Sequence, residues 1–274
     1  MKQKKQLYFI LTNENLFHPK YLAGILKRLD EKEYKIVGIT QIIEKRKSPS
    51  NYFMNQLSLW GILGFLSIGC LSIIKKILEI TSIDKTSSIK LIADENKIKY
   101  LKVNNVNDKL HLNHLKKKKP DIIISSCGQI FKKELLSLPK VACINRHSAL
   151  LPKYGGVLPI FWAMYNNEKS FGVSIHYMVE KVDQGNVIFQ KKISFDHQKS
   201  LFTNYVIAFQ ESIQATIKSL DNLNKNKIIK KFSPNNKQYF SYPKSADIYK
   251  FKKKHKVFSL DDLKLLPLFF KDWT

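Results

Sequence analysis

With 274 residues the chain is long enough for one large domain or a catalytic core with an appendage. Its 44% hydrophobic and 12% aromatic content excludes a wholly disordered, collagen-like or low-complexity scaffold. The formal net charge of +25 invites a polyanionic partner, yet of the 47 basic residues only Arg28, Arg46 and Arg146 are arginine. Lysine lacks the bidentate fork that reads phosphates and base edges, so a solvated lysine surface is the plainer reading. Cys70, Cys127 and Cys143 have no spacing suited to a disulfide framework or a structural zinc site. The apolar run after the basic N-terminus is too short for a secretion signal, and the expected location is a reducing cytoplasm.

The apolar run at residues 7–11 stops at Thr12-Asn13-Glu14-Asn15, the pattern of a buried strand ending in a loop. Residues 16–30 follow with Leu22, Ile25, Leu26 and Leu29 at helical spacing, and YKIVGIT at 34–40 is strand-like. A parallel pair joined this way needs a crossover, so the expected class is α/β: a Rossmann-like, wound, mostly parallel sheet with helices on both faces. The rhythm continues through a strand at 98–103, a polar helix ending at 116–119, DIIIS at 121–125, a short helix at 132–138 and a strand at 141–145. Residues 172–178 and 187–195 alternate as strands, and Phe202, Tyr205, Val206, Phe209, Ile213 and Ile217 mark a long helix. The chain therefore reads as a catalytic domain over residues 1–222 and a small lysine-rich C-terminal extension over 223–274, with a short helix at 247–254.

Residues 48–74 carry no charge at all, and their centre, LSLWGILGFLSIGCLSII at 57–74, raises a membrane question. A span would put neighbouring strands of one sheet on opposite sides of a bilayer. A core-covering or oligomer-forming helix is the first expectation, and peripheral membrane contact through 57–74 the second.

The chemistry gathers at the end of the strand at 141–145, where open α/β sheets place their ligands. Asn145 and His147 are two apart, so an extended backbone points both side chains to one face. Ser148 adjoins them, and the turn at 150–156 holds Pro152, Gly155 and Gly156, which let backbone approach a ligand. Asp183-Gln184-Gly185 is a loop between two strands that can return an acid to the histidine. An amide donor, an imidazole and a carboxylate make acyl transfer plausible, although each residue singly is more often a cap, a turn or a packed side chain.

NRHSALLPKY at 145–154, then Gly156, Pro159, Trp162, GVSIH at 172–176 and DQG at 183–185, resemble the catalytic core of the 10-formyltetrahydrofolate-dependent formyltransferases. The resemblance covers about residues 120–195. It implies that Asn145, His147 and Asp183 are catalytic and that 10-formyltetrahydrofolate is the co-substrate, with no metal required. By the same resemblance Ser125, Cys127, Gly128, Gln129, Ile130, Val179, Val182 and Asp183 hold the pterin, largely through backbone. Ser148, Leu151, Pro152, Tyr154 and Gly156 fall on the acceptor side. Asn145 would donate to the oxyanion. His147, protonated in the complex, would support the same charge, and Asp183 would favour that imidazolium and help receive the amine's proton.

Two departures bear on the acceptor. Gly155 stands where many members have arginine, and Thr12-Asn13-Glu14-Asn15 replaces the glycine-rich phosphate loop expected of a phosphoribosylglycinamide enzyme. The residues after the long helix are also too few for the β-barrel that methionyl-tRNA formyltransferases carry. The expected acceptor is a primary amine on a small, nucleotide-linked amino sugar. The alternatives are a methionyl-tRNA acceptor and a non-catalytic folate- or nucleic-acid-binding protein. Oligomerisation is left open.

Overall fold

The computed structural model describes residues 3–43, 48–196, 198–233 and 237–273; Arg46 and Pro234 lie outside the described residues. The elements run β1 (Lys5–Thr12), α1 (Phe17–Arg28), β2 (Tyr34–Ile42), α2 (Pro49–Thr81), α3 (Ile89–Glu95), β3 (Tyr100–Val103), α4 (Lys109–Lys118), β4 (Ile122–Ser126), α5 (Lys133–Leu136) and β5 (Ala142–His147). They continue through β6 (Gly155–Gly156), α6 (Pro159–Tyr165), β7 (Ser170–Tyr177), β8 (Val187–Ser194), α7 (Leu201–Asn224), β9 (Tyr239–Phe240), α8 (Ser245–Lys254) and a 3-10 helix, Leu260–Phe270.

Seven strands form one sheet in the order β3-β2-β1-β4-β5-β7-β8. The first five run parallel, and β7 and β8 return antiparallel. Alternation along β1 explains why both faces are covered: Leu7, Phe9 and Leu11 enter one core with α1 and α7, while Tyr8 and Ile10 enter another with Leu112 and Leu115 of α4 and Leu135 of α5. The chain leaves β1 first toward β2 and later returns to its other side as β4. The carboxyl ends of β1 and β4 therefore flank a switch-point crevice.

The C-terminal extension packs into this body. Ile248, Phe251, Val257, Phe269 and Trp273 join the larger core, and Phe251 stacks on Phe161 of α6 at 4.4 Å between ring centroids. Residues 239–240 pair in parallel with Gly155–Gly156 as the β6–β9 ribbon, which sequence reading missed. The described residues of the extension are thus part of the layer that shapes the sheet's carboxyl end.

The uncharged stretch covers the core only in part. It forms a 33-residue element broken at Gly61, whose φ of 70° and ψ of 174° are non-helical. Leu59, Leu71 and Lys75 are buried, but most of its apolar side chains face outward. Its two ends lead to β2 and β3, which are hydrogen-bonded neighbours, so it cannot cross a bilayer with this sheet intact.

Candidate active site

β5 supplies the first two site residues from its last positions. Asn145 and His147 share a face as the strand period requires, and the antiparallel partner β7 sets His176 directly opposite Asn145. Asp183 arrives from the β7–β8 connection with φ at +54°, in the left-handed region. The loop keeps its shape because Gly185 lies against the Tyr177 carbonyl, where a Cβ would come within 1.7 Å of the oxygen.

Asp183 is held by two histidines and one amide. His147 Nδ1 lies 3.8 Å from its Oδ2, and His176 Nε2 lies 3.6 Å from its Oδ1. Gly156 donates its backbone N–H to Oδ2 at 2.7 Å. The far nitrogens of both rings face backbone carbonyls: His147 Nε2 meets Tyr154 O at 2.8 Å, and His176 Nδ1 meets Tyr177 O at 2.8 Å. A carbonyl only accepts, so each of those nitrogens carries hydrogen and the nitrogen facing Asp183 is the proton-accepting one in the neutral ring. Asn145 Nδ2 lies 3.4 Å from His176 Nε2, which takes one of its two hydrogens and leaves the other free.

Burial opposes ionisation of Asp183, but His147, His176 and the Gly156 amide together hold it below the usual carboxylate range. Burial also lowers the pKa of His147, against the upward pull of Asp183 and the Tyr154 carbonyl. Asp183 pulls His147 toward the imidazolium, and desolvation of the buried ring opposes that pull.

The loop that follows is fixed by polar contacts. Ser174 Oγ donates to Ala149 O at 2.6 Å and accepts from Gln190 Nε2 at 2.8 Å, while Gln190 also donates to Leu151 O at 3.1 Å. Arg146 points to the opposite face of β5, donating from Nε to Ser212 Oγ at 2.8 Å and to the Ser148 hydroxyl, with its guanidinium 3.7 Å from the Phe209 ring centroid. Among the described residues no carboxylate pairs with this buried cation, and burial pushes its pKa down to about 10.

A cleft of about 560 Å³ opens over these groups. Asn145, His147, Asp183 and the missed His176 line it, with Cys127, Gly128, Gln129, Ile130, Val179 and Val182, and with Ser148 and Gly156. Ser125 is fully buried in β4 and does not reach it. Leu151, Pro152 and Tyr154 also stand outside: Leu151 is buried, while Pro152 and Tyr154 border a separate cavity of about 390 Å³. Their part in this structure is to frame the loop, Tyr154 by presenting its carbonyl to His147.

Sequence reading also missed a second group, of which His18 and Ser126 line the cleft. Glu14 accepts the N–H groups of Leu16, Phe17 and His18 at 2.5, 2.8 and 3.1 Å, so it closes the amino end of α1. His18 joins Glu14 Oε2 at 3.3 Å to Ser126 Oγ at 3.0 Å. No motif marks these residues; their meeting depends on β1 and β4 lying side by side.

A folate fits this cleft on two observations. The Asn145 Oδ1 atom is buried and has no hydrogen-bond partner, and Ile130, Val179 and Val182 expose apolar side chains along the wall against which a flat ring can lie.

The sequence profile described as formyl transferase matches residues 75–216, which hold Asn145, His147 and Asp183. The chain belongs to the formyl transferase family. Over 176 residues it is 33% identical to the bifunctional polymyxin resistance protein ArnA of Wigglesworthia glossinidia brevipalpis, covering 61% of this chain and 27% of that protein. Over 114 residues it is 40% identical to the methionyl-tRNA formyltransferase of Lysinibacillus sphaericus, covering 40% of this chain and 36% of that one. The match thus spans about a third of the length of these curated relatives. Among solved structures it resembles a sugar N-formyltransferase from Shewanella, with a TM-score of 0.56 and 18% identity over 86% of this chain and 76% of that one. It also resembles an N-formyltransferase from Helicobacter canadensis in complex with folinic acid and dTDP-3-aminofucose, with a TM-score of 0.54 and 20% identity over 87% and 71%. At these identities the structural likeness is one of fold.

Proposed function

We propose that the chain transfers the formyl group of 10-formyltetrahydrofolate to a primary amine on a nucleotide-linked amino sugar. The observation that carries this reading is the meeting of Asn145 and His147, from the end of β5, with Asp183, from the β7–β8 connection, in one cleft. The folate supplies the formyl carbon. The free N–H of Asn145 donates to the formyl oxygen as charge builds on it. His147 Nδ1 takes the proton released by the attacking amine, and Asp183 stabilises the imidazolium so formed and holds its orientation. The protonated ring can then return the proton to the departing folate nitrogen.

Two features support a phosphate-bearing small acceptor. Arg146 reaches the cleft wall without a carboxylate partner, and an anion is its natural complement. Glu14 already fills the amino end of α1, so a phosphate cannot take that position as it would on a bare helix N-terminus, which counts against a phosphoribosyl amine. The Helicobacter canadensis relative, with an amino-sugar nucleotide in its complex, is in keeping with this reading.

A second acceptor is methionyl-tRNA, favoured by the +25 charge and by the 40% identity to a methionyl-tRNA formyltransferase. Incubation with 10-formyltetrahydrofolate and a panel of amino-sugar nucleotides beside charged initiator tRNA decides between them, read by tetrahydrofolate release and by mass of the product. A formylated amino-sugar nucleotide is expected. Formylation of the tRNA alone would replace the first acceptor with the second, and no release with any amine would remove the activity.

A further inference from the structure

Helix α2 has two apolar faces and only one of them is covered. Leu71 and Lys75 are buried, and Lys75 is pinned to the body by Asp84 at 3.3 Å and by the carbonyl of Phe269 at 3.1 Å. Ile62, Leu66, Ile73, Ile77 and Ile80 stand on the opposite side, within about 60° of one another at 3.6 residues per turn. These five are 54–72% exposed. A soluble surface rarely shows a contiguous apolar face of this length without a partner. The first turns before Gly61 add Phe53 and Met54, both more than half exposed.

At the Gly61 end of this face the neighbouring charge is of one sign, while at its far end Lys76 pairs with Glu79 at 2.6 Å. The bend at Gly61 frees carbonyls of the preceding turn, and Lys252 of α8 donates to one of them, that of Ser58. This contact sets Lys253, Lys254 and Lys256, all exposed, along the bend. A groove of about 510 Å³ there is walled by Trp60 and Ile62 on one side and Lys252, Lys253 and Lys256 on the other. Residues 48–74 contain no acidic residue to neutralise them.

We propose that the outer face of α2 and the adjoining lysines of α8 dock the protein on an anionic lipid surface. The apolar side chains enter the headgroup boundary while the lysines meet lipid phosphates, the arrangement of an interfacial helix. A second copy of this chain is the poorer occupant, because pairing two such faces would bring their lysine rims together. Docking also orients the cleft: Asn15 Nδ2 donates to Ser72 O at 2.9 Å, tying α2 to the loop between Thr12 and His18, both of which line the cleft. Most of the exposed apolar stretch lies before the 75–216 segment shared with the family, and the proposal does not depend on which acceptor is formylated.

Flotation with vesicles of phosphatidylglycerol mixed with phosphatidylcholine tests it, against vesicles of phosphatidylcholine alone and with no substrate present. The protein should float with the anionic vesicles and partition less as salt rises. The double variants Ile73→Glu/Ile77→Glu and Lys253→Glu/Lys254→Glu should each weaken partitioning by at least about tenfold, with an unchanged melting transition because all four side chains are exposed. The salt series on the unaltered protein keeps the test decisive if a variant fails to fold. The proposal is overturned if the protein stays soluble with anionic vesicles, or if folded variants float as well as the unaltered chain. It is equally overturned by a stable dimer that Ile73→Glu/Ile77→Glu dissociates while vesicle binding is absent.

Discussion

Asp183 accepts the backbone N–H of Gly156 at 2.7 Å, which makes the carboxylate between the two histidines a strut between two loops as well. Asp183→Asn separates these roles. An amide oxygen can still accept from Gly156, so the contact between the two loops and the fold should persist. The charge that stabilises a protonated His147 is lost. The turnover rate should fall by about 100- to 10,000-fold, the usual worth of positioned acid–base chemistry, while folate binding changes little. Stopped-flow turnover beside a folate titration checks both. A rate within a few-fold of the unaltered enzyme would take Asp183 out of the proton path.

The pH profile follows from the environment of His147. Burial sets its pKa below the ordinary value of ~6.5, with Asp183 and the Tyr154 carbonyl pulling back. A base that works unprotonated gains activity as pH rises through its pKa, so the acid limb of kcat/KM should lie below ~6.5. Asp183→Asn removes part of the upward pull, and the residual limb should move further to the acid side. Folding stability has the same sign. The unfolded chain binds this proton near ~6.5 and the folded chain only at lower pH, so stability declines as pH drops below ~6.5. The Asp183 contribution is present above the unfolded carboxylate value of ~3.9 and is lost as pH falls further, through its depressed folded pKa. A limb above neutrality, or one moving upward in the variant, would contradict this assignment.

Much of this geometry was readable in the chain because it depends on local periods. The βαβ opening, the isoleucine run of β4 and the alternation that puts Asn145 and His147 on one face are all properties of short windows. Gly185 and Gly156 have steric reasons beyond their motif: a Cβ on Gly156 would lie 2.1 Å from the Phe240 carbonyl oxygen. What could not be read depends on pairing across the sheet. His176 sits in a strand the sequence does mark, but its place opposite Asn145 follows from the antiparallel register of β5 and β7. His18 and Ser126 meet only because β4 returns beside β1. Which face of α2 is covered is undecided in the sequence for a related reason: apolar composition does not say which side of a helix finds a partner.

The C-terminal extension should unfold with the rest of the chain. Phe251 is 1% exposed and stacks on Phe161, Trp162 Nε1 donates to the Ser241 carbonyl at 3.0 Å, and Tyr239 lines the cleft itself. One cooperative transition is expected by calorimetry, with calorimetric and van't Hoff enthalpies in agreement. Phe251→Ala should cost about 3–5 kcal/mol, as for a buried aromatic left as a cavity, and should shift that single transition. Two separable transitions, with only the smaller one moved by the substitution, would make residues 223–274 an independent unit.

Glu14 offers a test of why the acceptor's phosphate must sit elsewhere. Its carboxylate accepts three consecutive amide hydrogens at the start of α1, the groups that would otherwise bind an anion. Glu14→Ala removes a cap and should cost about 0.5–2 kcal/mol, and it frees His18 Nδ1 as well. The same change uncovers the amides. Inorganic phosphate should therefore raise the melting temperature of Glu14→Ala relative to chloride at equal ionic strength, while the unaltered protein shows a smaller response. Equal stabilisation of both by phosphate would mean that the amino end of α1 is not what Glu14 closes, and the argument against a phosphoribosyl amine would fall with it.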